Sequence, residues 1–289
     1  MSARFGIIGL GEAGGAIAAG LVSAGATVVG YDATPNPVVH ERCRSVGVTV
    51  VKDVEALAAD ADLTICLTSA KVAVSVAEAL APFLTQRHIY SDWNSASPEV
   101  KHQIADLVEA RGAMFVDGAV MAAVPPQRHA VPVLLSGNGA AAFMAAVDGL
   151  GMQLENLGPE PGQASAVKMF RSLLVKGLEA LLVECIVGAD RYGAARRVLT
   201  SMNGTLPTED WNELTTYLVT RAVQHGHRRA EELRQVTVTL AEAGVEPLLA
   251  PAGAARLQWF ADLGLGAELA HTGWQSYEDV LRLIDKRGR

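Results

Sequence analysis

Short apolar runs alternate with longer helix-like stretches over the first half of the chain. The run from Phe5 to Ile8 can be buried on both faces, as expected of a central parallel strand. Six further strand-like runs follow, at residues 27–32, 48–51, 63–68, 88–92, 114–117 and 131–135. This alternation predicts a mostly parallel sheet with helices on both faces.

The pattern changes after the Pro/Gly-rich segment 158–162, beyond which strand-like runs almost vanish and helical patterns dominate. We therefore predict a dinucleotide-binding α/β domain of the Rossmann type over residues 1–160. An all-α domain is predicted over residues 161–289. Its first helix is expected to run from about Gln163 to Tyr192, a length of about 45 Å.

Composition and charge narrow the class of partner. Half of the 289 residues are hydrophobic, which predicts a substantial core. A net charge of -7 without long charge runs argues against binding to nucleic acid or to an anionic membrane. No transmembrane segment is expected. The predicted partner is therefore a small molecule.

The cysteines and histidines offer no pattern typical of a metal site. The three cysteines are widely spaced without a C-x-x-C pair, which fits a reducing compartment. No pair of histidines has ligand spacing on a common helix face, so no metal is expected. Because the first strand begins directly after Arg4, we also expect no signal peptide and a cytoplasmic location.

Gly9, Gly11 and Gly14 form a G-x-G-x-x-G sequence between the first predicted strand and a helix predicted from Ala13 to Ala24. The first glycine permits a tight turn, the second lets the backbone approach a pyrophosphate, and the third lets helix and strand pack closely. The helix start then directs N–H groups at the phosphates. The predicted cofactor-binding residues here are Gly9, Leu10, Gly11, Glu12, Ala13 and Gly14.

Asp32 ends the next predicted strand, at about the distance expected for a ribose-binding carboxylate, roughly twenty residues after the glycines. A carboxylate accepts hydrogen bonds from a ribose 2′-OH but repels a 2′-phosphate. Residues 33–36 contain no Lys or Arg that could neutralise that phosphate. We therefore expect NAD, with NADP as the alternative. The alternative for the motif itself is a Gly-rich turn in another α/β protein, with Asp32 as a solvated carboxylate.

Ligands of parallel sheets bind beyond the carboxyl ends of the strands. Thr68, Ser69 and Asn94 fall at such ends and are predicted to bind the cofactor. Ser95 and Met121 fall there too and are predicted to bind the substrate. Ser97 precedes a proline, which is typical of a helix N-cap followed by Pro at the first helical position.

Three segments, 9–14, 92–98 and 162–168, resemble successive motifs of the superfamily of β-hydroxyacid dehydrogenases and 6-phosphogluconate dehydrogenases. Within it the chain most resembles a subgroup with a C-terminal domain of unknown function. That subgroup is marked by Lys-Met-x-Arg-Ser, Lys-Gly-x-Glu-Ala and His-x-His-Arg-Arg-Ala-Glu-Glu. These sequences stand here at residues 168–172, 176–180 and 225–232.

The resemblance implies that Lys168 acts as the general base. In the wider family, the matching lysine removes a proton from a substrate hydroxyl while hydride leaves the same carbon for the nicotinamide. Most charged residues on helices are instead solvated, and that is the alternative for Lys168.

Other positions depart from the family pattern. Residues 117–123 replace Asp-Ala-Pro-Val-Ser-Gly-Gly, so the hydroxyl and the two glycines that grip a substrate carboxylate are gone. Arg171 and Ser172 replace an Asn pair, which suggests a differently charged, more anionic substrate. We predict that both bind the substrate together with His227, whose alternative is a solvated helix start. Glu231 stands where the family has the lysine of Lys-Asp-Leu.

These observations predict an oxidoreductase that uses NAD(P) to transfer hydride to or from a small, acidic hydroxy compound. One alternative is a non-catalytic NAD(P)-binding protein, and the other is an imine reductase on the same fold. Apolar helices in the second half, including residues 248–259, predict a homodimer.

Overall fold

The computed structural model describes residues 4–34, 36–202, 210–266, 268 and 276–286. The chain forms two compact units, residues 1–169 and 170–289. The domain limits inferred from the sequence, 1–160 and 161–289, remain predictions.

The first unit is built on one sheet with the strand order β3-β2-β1-β4-β5-β6-β7-β8. All neighbouring strands are parallel except β6 and β7, which are antiparallel. The strands are β1 Arg4–Ile8, β2 Thr27–Tyr31, β3 Thr49–Val50, β4 Leu63–Cys66, β5 Ile89–Asp92, β6 Met114–Val120, β7 Val133–Ser136 and β8 Leu154–Asn156.

Helices cover both faces of this sheet. They are α1 Glu12–Ser23, α2 Pro37–Ser45, α3 Val54–Asp60, α4 Ala73–Leu80, α5 Pro98–Glu109, α6 Val124–Gln127 and α7 Ala140–Ala146. Alternate residues of β1 supply the two cores: Phe5 packs in the cluster that contains Ile17 of α1, and Ile8 packs in the cluster that contains Leu57 of α3. Burial on two sides explains why β1 has no polar face.

The predicted class, an α/β domain followed by helices, is confirmed. Two details of the sheet were not predicted. Strand β7 runs antiparallel to β6, which a pattern of apolar residues does not reveal. Strand β8 is three residues long, and its Glu155 and Asn156 are exposed, so it lacks the apolar run that marks the other strands.

The long helix α8, Gln163–Asp190, begins in the first unit and continues into the second. It starts at the predicted residue and ends two residues before the predicted Tyr192. The other described helices of the second unit are α9 Ala195–Met202, α10 Trp211–Glu242, α11 Leu249–Asp262 and α12 Tyr277–Lys286. No described helix is long and apolar enough to cross a membrane.

Helix α10 is interrupted at His225, where the backbone leaves helical geometry (φ -133°, ψ 17°). The next residue, Gly226, lies against α11: a Cβ there would lie 2.7 Å from the Cβ of Ala261. The interruption lies beside the charged residues of α10 described below.

Candidate functional site

The glycine-rich turn between β1 and α1 has the geometry that its sequence predicts. Gly9 has φ +92°, and a Cβ there would lie 2.4 Å from the carbonyl oxygen of Leu67. A Cβ on Gly14 would lie 1.9 Å from the carbonyl oxygen of Gly9, so α1 packs directly on the turn. A Cβ on Gly11 would meet nothing within 4 Å. Both flanking glycines are therefore required by packing, whereas Gly11 faces open space.

A matched pair of substitutions tests these different roles. Gly14→Ala is expected to destabilise the protein by about 1–3 kcal/mol, because its methyl group overlaps backbone that must move. Gly11→Ala should destabilise the protein less than Gly14→Ala, since a Cβ at Gly11 would meet no atom within 4 Å. We expect Gly11→Ala instead to weaken binding of NAD⁺. Thermal melts and titration with NAD⁺ check both, and a wild-type melting temperature for Gly14→Ala would contradict the packing argument.

The N-terminus of α1 has no side-chain cap. The first N–H groups of a helix lack partners within the helix, and a phosphate is a favourable acceptor for them. The open space over Gly11 and these uncapped N–H groups together fit the pyrophosphate of a dinucleotide.

Asp32 fastens the turn to the end of β2. Its Oδ2 accepts a hydrogen bond from the backbone N–H of Leu10 at 2.8 Å, and its Oδ1 accepts one from the N–H of Thr34 at 2.9 Å. A carboxylate has further lone pairs, so these bonds leave room for a ribose hydroxyl.

Arg42 is a neighbour of this turn that the sequence analysis missed. Its Nη2 donates to the carbonyl oxygens of Leu10 and Gly11 at 3.1 and 3.2 Å. The residue lies on α2, ten positions after Asp32 and beyond residues 33–36, which contain no Lys or Arg. Because an arginine attracts a phosphate, Arg42 favours NADP over NAD, in opposition to Asp32.

The other predicted cofactor residues lie at the ends of β4 and β5. Thr68 and Ser69 are exposed just after β4, and Thr68 Oγ1 lies 3.5 Å from Asn94 Oδ1. The side chain of Asn94 is buried, and its Nδ2 donates to Asp92 Oδ2 at 2.7 Å. The structure therefore brings Thr68 and Asn94 together, and a hydrogen bond to Asp92 fixes the side chain of Asn94.

The predicted substrate residues of the first unit follow β5 and β6. Ser95 and Met121 are half-buried, and the N–H of Met121 donates to the carbonyl oxygen of Pro132. Ser97 is the N-cap of α5 with Pro98 at the first helical position, as predicted.

Three buried charges lie beneath these strand ends. Lys101 of α5 is fully buried, and its Nζ lies 2.5 Å from Asp92 Oδ1 and 3.2 Å from Asp117 Oδ1. Both carboxylates are fully buried as well. Burial by itself lowers the pKa of Lys101, but the two carboxylates raise it above its ordinary value, so the lysine is charged.

Asp117 also caps the start of α8. Its Oδ2 accepts from the N–H of Ser165 at 2.9 Å, and its Oδ1 accepts from the Ser165 hydroxyl at 2.7 Å. The hydroxyl oxygen of Ser136 accepts from the N–H of Ala164 at 3.1 Å. Two strands thereby fix the first turn of α8, and Lys168 follows Ser165 by about one turn.

The sequence contained a weak signal for Lys101. It stands on a helix face with Ile104, Ala105 and Val108, at spacings of three and four residues, and all of these are buried. A lysine on an apolar face needs a buried partner. Asp92 and Asp117 were each noted at strand ends, but only the register of β5 and β6, which pairs them, brings both to Lys101.

The second unit contains its own charged cluster, which we call the α8–α10 cluster. Its members on α8 are Ser172, Lys176 and Glu179, and those on α10 are Arg221, His225, Arg228, Arg229 and Glu232. Lys176 Nζ lies 2.7 Å from Glu232 Oε2 and donates to the Ser172 hydroxyl at 3.2 Å. Glu179 is fully buried and accepts a hydrogen bond from Nη1 of Arg229.

The other predicted substrate residues lie in this unit. Ser172 is half-buried and belongs to the cluster, whereas Arg171 is exposed. His227 is exposed, and its Nδ1 lies 2.8 Å from Gln258 Nε2 on α11. Arg228 pairs with Glu232 at 2.7 Å. The structure thus unites Ser172 with charged partners and gives His227 contacts on another helix.

The burial of Glu179 changes its acid–base behaviour. Burial raises the pKa of its carboxyl group from 4.5 to about 7, against the opposing effect of Arg229, Lys176 and Arg221. The pKa of His225 is lowered by burial and by the surrounding arginines, so its imidazole is predominantly neutral at pH 7. Glu179 therefore exchanges a proton near neutral pH.

The raised pKa predicts a pH-dependent stability. A group whose folded pKa exceeds its unfolded pKa contributes most stability below the unfolded pKa and loses it as pH rises through the folded value. Between about pH 5 and pH 8, wild type should therefore lose on the order of 3 kcal/mol relative to Glu179→Gln. Urea unfolding at both pH values measures this. Glu231→Gln, at a partly exposed position on α10, is the control, and a pH-independent difference for Glu179→Gln would contradict the prediction.

Among the described residues, no group of three or more His, Cys, Asp or Glu side chains is arranged to hold a metal ion.

Comparisons with known proteins match both halves of the chain. Residues 4–150 match the NAD binding domain of 6-phosphogluconate dehydrogenase, and residues 189–260 match a domain of unknown function, DUF1932. A conserved hypothetical protein from Sinorhizobium meliloti 1021 is 32% identical, with a TM-score of 0.83 over 99% of this chain and 97% of that chain. The conserved protein MTH1747 of unknown function, reported to be structurally similar to 3-hydroxyacid dehydrogenases, is 32% identical, with a TM-score of 0.77 over 90% and 97%.

More distant structures share the fold. The 3-hydroxyisobutyrate dehydrogenase of Mycobacterium tuberculosis is 20% identical, with a TM-score of 0.70 over 94% of this chain and 95% of that chain. An imine reductase from Myxococcus stipitatus, in complex with NAD⁺, is 16% identical, with a TM-score of 0.62 over 92% and 96%.

Proposed function

Since the chain belongs to the family that has the NAD binding domain of 6-phosphogluconate dehydrogenase, we propose that it is an NAD(P)-dependent oxidoreductase acting on a CH–OH group. The substrate is a small, acidic hydroxy compound. The observation that supports this most directly is the turn of Gly9, Gly11 and Gly14, which is tightly packed at its flanks and open over its middle glycine.

The residues of this turn fit a bound dinucleotide. The uncapped N–H groups at the start of α1 would hold the pyrophosphate, and Asp32 would accept a hydrogen bond from the adenosine ribose. Thr68, Ser69 and Asn94, which follow β4 and β5, would bind the same cofactor. When bound, the nicotinamide ring accepts or donates the hydride.

Lys168 serves as the general base in this proposal. Its amine takes the proton of the substrate hydroxyl during oxidation and returns it during reduction. The capping of α8 by Asp117 and Ser136 fixes the helical turn before Lys168, so the position of this residue is set by the first unit. General base catalysis of this kind contributes about 10²–10⁴-fold to a rate.

Among the cofactors, NAD is proposed as the preferred one because the carboxylate of Asp32 opposes a 2′-phosphate. Arg42 is the one described feature of the turn that favours NADP instead. We expect NAD⁺ to bind more tightly than NADP⁺ in wild type. Arg42→Ala should leave the affinity for NAD⁺ nearly unchanged. It should lower the affinity for NADP⁺ further, because the arginine offsets part of the repulsion between Asp32 and the 2′-phosphate. Fluorescence titration with both cofactors checks this, and tighter binding of NADP⁺ to wild type would overturn the preference.

A substrate screen tests the proposed activity. Purified protein is incubated with NAD⁺ or NADP⁺ and a panel of hydroxy acids and alcohols, while the absorbance of the reduced nicotinamide is followed. Turnover of a hydroxy acid supports the proposal. Turnover of imines with reduced cofactor identifies an imine reductase instead. Cofactor binding without any turnover favours the non-catalytic alternative, for which the altered segment 117–123 is the argument.

We also propose a homodimer in the cytoplasm. Three large apolar side chains of α8, Phe170, Leu174 and Leu181, are exposed by 40–75%. A second copy of the chain would cover such a surface. Analytical ultracentrifugation tests the dimer, and a monomer at micromolar concentration would exclude it. Free Cys43, Cys66 and Cys185 fit a reducing location.

A further inference from the structure

The α8–α10 cluster has more hydrogen-bond donors than acceptors. Lys176 and Arg228 pair with Glu232, Arg229 pairs with Glu179, and the charge of a fourth cation, Arg221, lowers the pKa of Glu179. The Nε atoms of Arg221 and Arg229 are buried and have no hydrogen-bond partner among the described residues. Buried donors in folded proteins are almost always satisfied, so unmatched ones at a charged cluster indicate a ligand that supplies oxygens.

One oxygen of the Glu179 carboxyl group also lacks a hydrogen-bond partner among the described residues. Its Oε1 is bound by Arg229, but its Oε2 is buried without a hydrogen-bond partner in the described part of the chain. A protonated carboxyl group donates from this oxygen, and an oxyanion is a suitable acceptor. Protonated Glu179 can therefore donate a hydrogen bond to a bound anion, whereas ionised Glu179 would repel that anion.

The cluster is partly open to solvent. The side chain of Glu232 is 26% exposed and that of Lys176 is 11% exposed, while Glu179 is fully buried behind them. Glu232 bridges Lys176 and Arg228 with its two oxygens. An external oxyanion could replace this internal carboxylate on Lys176, while Glu232 keeps its bond to Arg228. Gly253 of α11 packs against Leu233 of α10 and near Ala180, the residue after Glu179 on α8.

We propose that Lys176, Glu179, Arg221 and Arg229 form an oxyanion site in the second unit, which binds a carboxylate or phosphate group together with one proton on Glu179. The proton comes from solvent and is held by the carboxyl group, so no bond of the ligand is broken. The assignment of this oxyanion to the acidic group of the substrate rests on the proposed function. The binding itself does not depend on it.

The charges around Glu179 define how pH acts on this site. Lys176 on α8 and both Arg221 and Arg229 on α10 favour its ionised form, and burial favours its neutral form. His225 contributes little charge at pH 7 because its pKa is lowered. Anion binding should therefore weaken as pH rises above 7, close to tenfold per pH unit when one proton is taken up.

Calorimetric titration of the full-length protein without cofactor tests the site. Acetate is the carboxylate probe and sulfate stands in for phosphate, because neither titrates near pH 7. We expect a dissociation constant on the order of 1 mM for the preferred anion. Titrations in two buffers of different ionisation enthalpy should show net uptake of close to one proton per anion at about pH 8. The ratio of the two affinities identifies the ligand group.

Two variants separate binding from proton uptake. Glu179→Gln keeps a neutral donor and should bind the anion without proton uptake and without pH dependence. The double variant Glu179→Gln/Arg229→Gln avoids an unpaired buried charge and should lose at least tenfold in affinity. Arg234→Gln, exposed on the same helix, is the control. Equal affinity in the double variant, or pH-independent binding to wild type, would overturn the site. Absence of redox turnover would overturn only the proposed function.

Discussion

Lys168→Met is expected to lower kcat/KM by about 10²–10⁴-fold on the substrate identified by the screen, with nearly unchanged affinity for NAD⁺. Methionine keeps an unbranched apolar stem but has no amine to accept a proton. The first turn of α8 stays fixed through Asp117 and Ser136, so we expect the helix to form normally. Steady-state rates and fluorescence titration of the cofactor measure the two effects separately.

The role of the amine has its own test. In Lys168→Ala, a small primary amine added to the solution should restore part of the rate, which a purely structural lysine would not allow. Lys52→Met, at an exposed position in the first unit, is the control and should retain full activity. Turnover by Lys168→Met close to the wild-type rate would remove Lys168 from the mechanism and leave the cofactor site unaffected.

Lys101→Met is expected to destabilise the protein by about 3–5 kcal/mol, because it leaves buried carboxylates without their cation. Asp92 and Asp117 face Lys101 from neighbouring strands and are both fully buried. At pH 7, the variant should either unfold at a much lower urea concentration or take up protons on these carboxylates. Urea unfolding and its pH dependence measure this, since acidification should recover part of the lost stability.

A neighbouring position and a compensating variant separate charge from packing. Gln103→Met lies on the exposed face of the same helix and should change stability by less than about 0.5 kcal/mol. Lys101→Met combined with Asp92→Asn and Asp117→Asn removes all three charges and should recover part of the loss. If the triple variant were no more stable than Lys101→Met alone, packing rather than charge would explain the destabilisation.

The two predictions concern one connected structure. The carboxylate of Asp117 binds both Lys101 and the first turn of α8. Trp93 packs on the backbone beside it: a Cβ on Gly118 would lie 2.1 Å from the indole ring. The glycine that replaces the expected alanine after Asp117 is therefore explained by the size of Trp93. The departure of this segment from the family pattern has a structural cause at this position.

The sequence by itself determined the features that depend on local spacing. These features are strands β1 to β7, the turn at Gly9 and Gly14, the N-cap at Ser97 and the start of α8 at Gln163. A tight turn, a capped helix or a two-sided apolar strand requires particular residue types at fixed intervals. These intervals can be recognised without knowledge of the remaining chain.

Only the tertiary structure decided which distant charges meet. Arg42 reaches the glycine turn because α2 packs beside it, and Lys101 meets both aspartates because β5 and β6 are adjacent and in register. Glu179 and Arg229 are 50 residues apart and pair through the packing of two helices. Burial then fixes their electrostatics, since the same carboxyl group has an ordinary pKa in water and a raised one when desolvated. The apolar helix face around Lys101 was a local sign of its burial, but the partner of a charged residue is not encoded in its immediate neighbours.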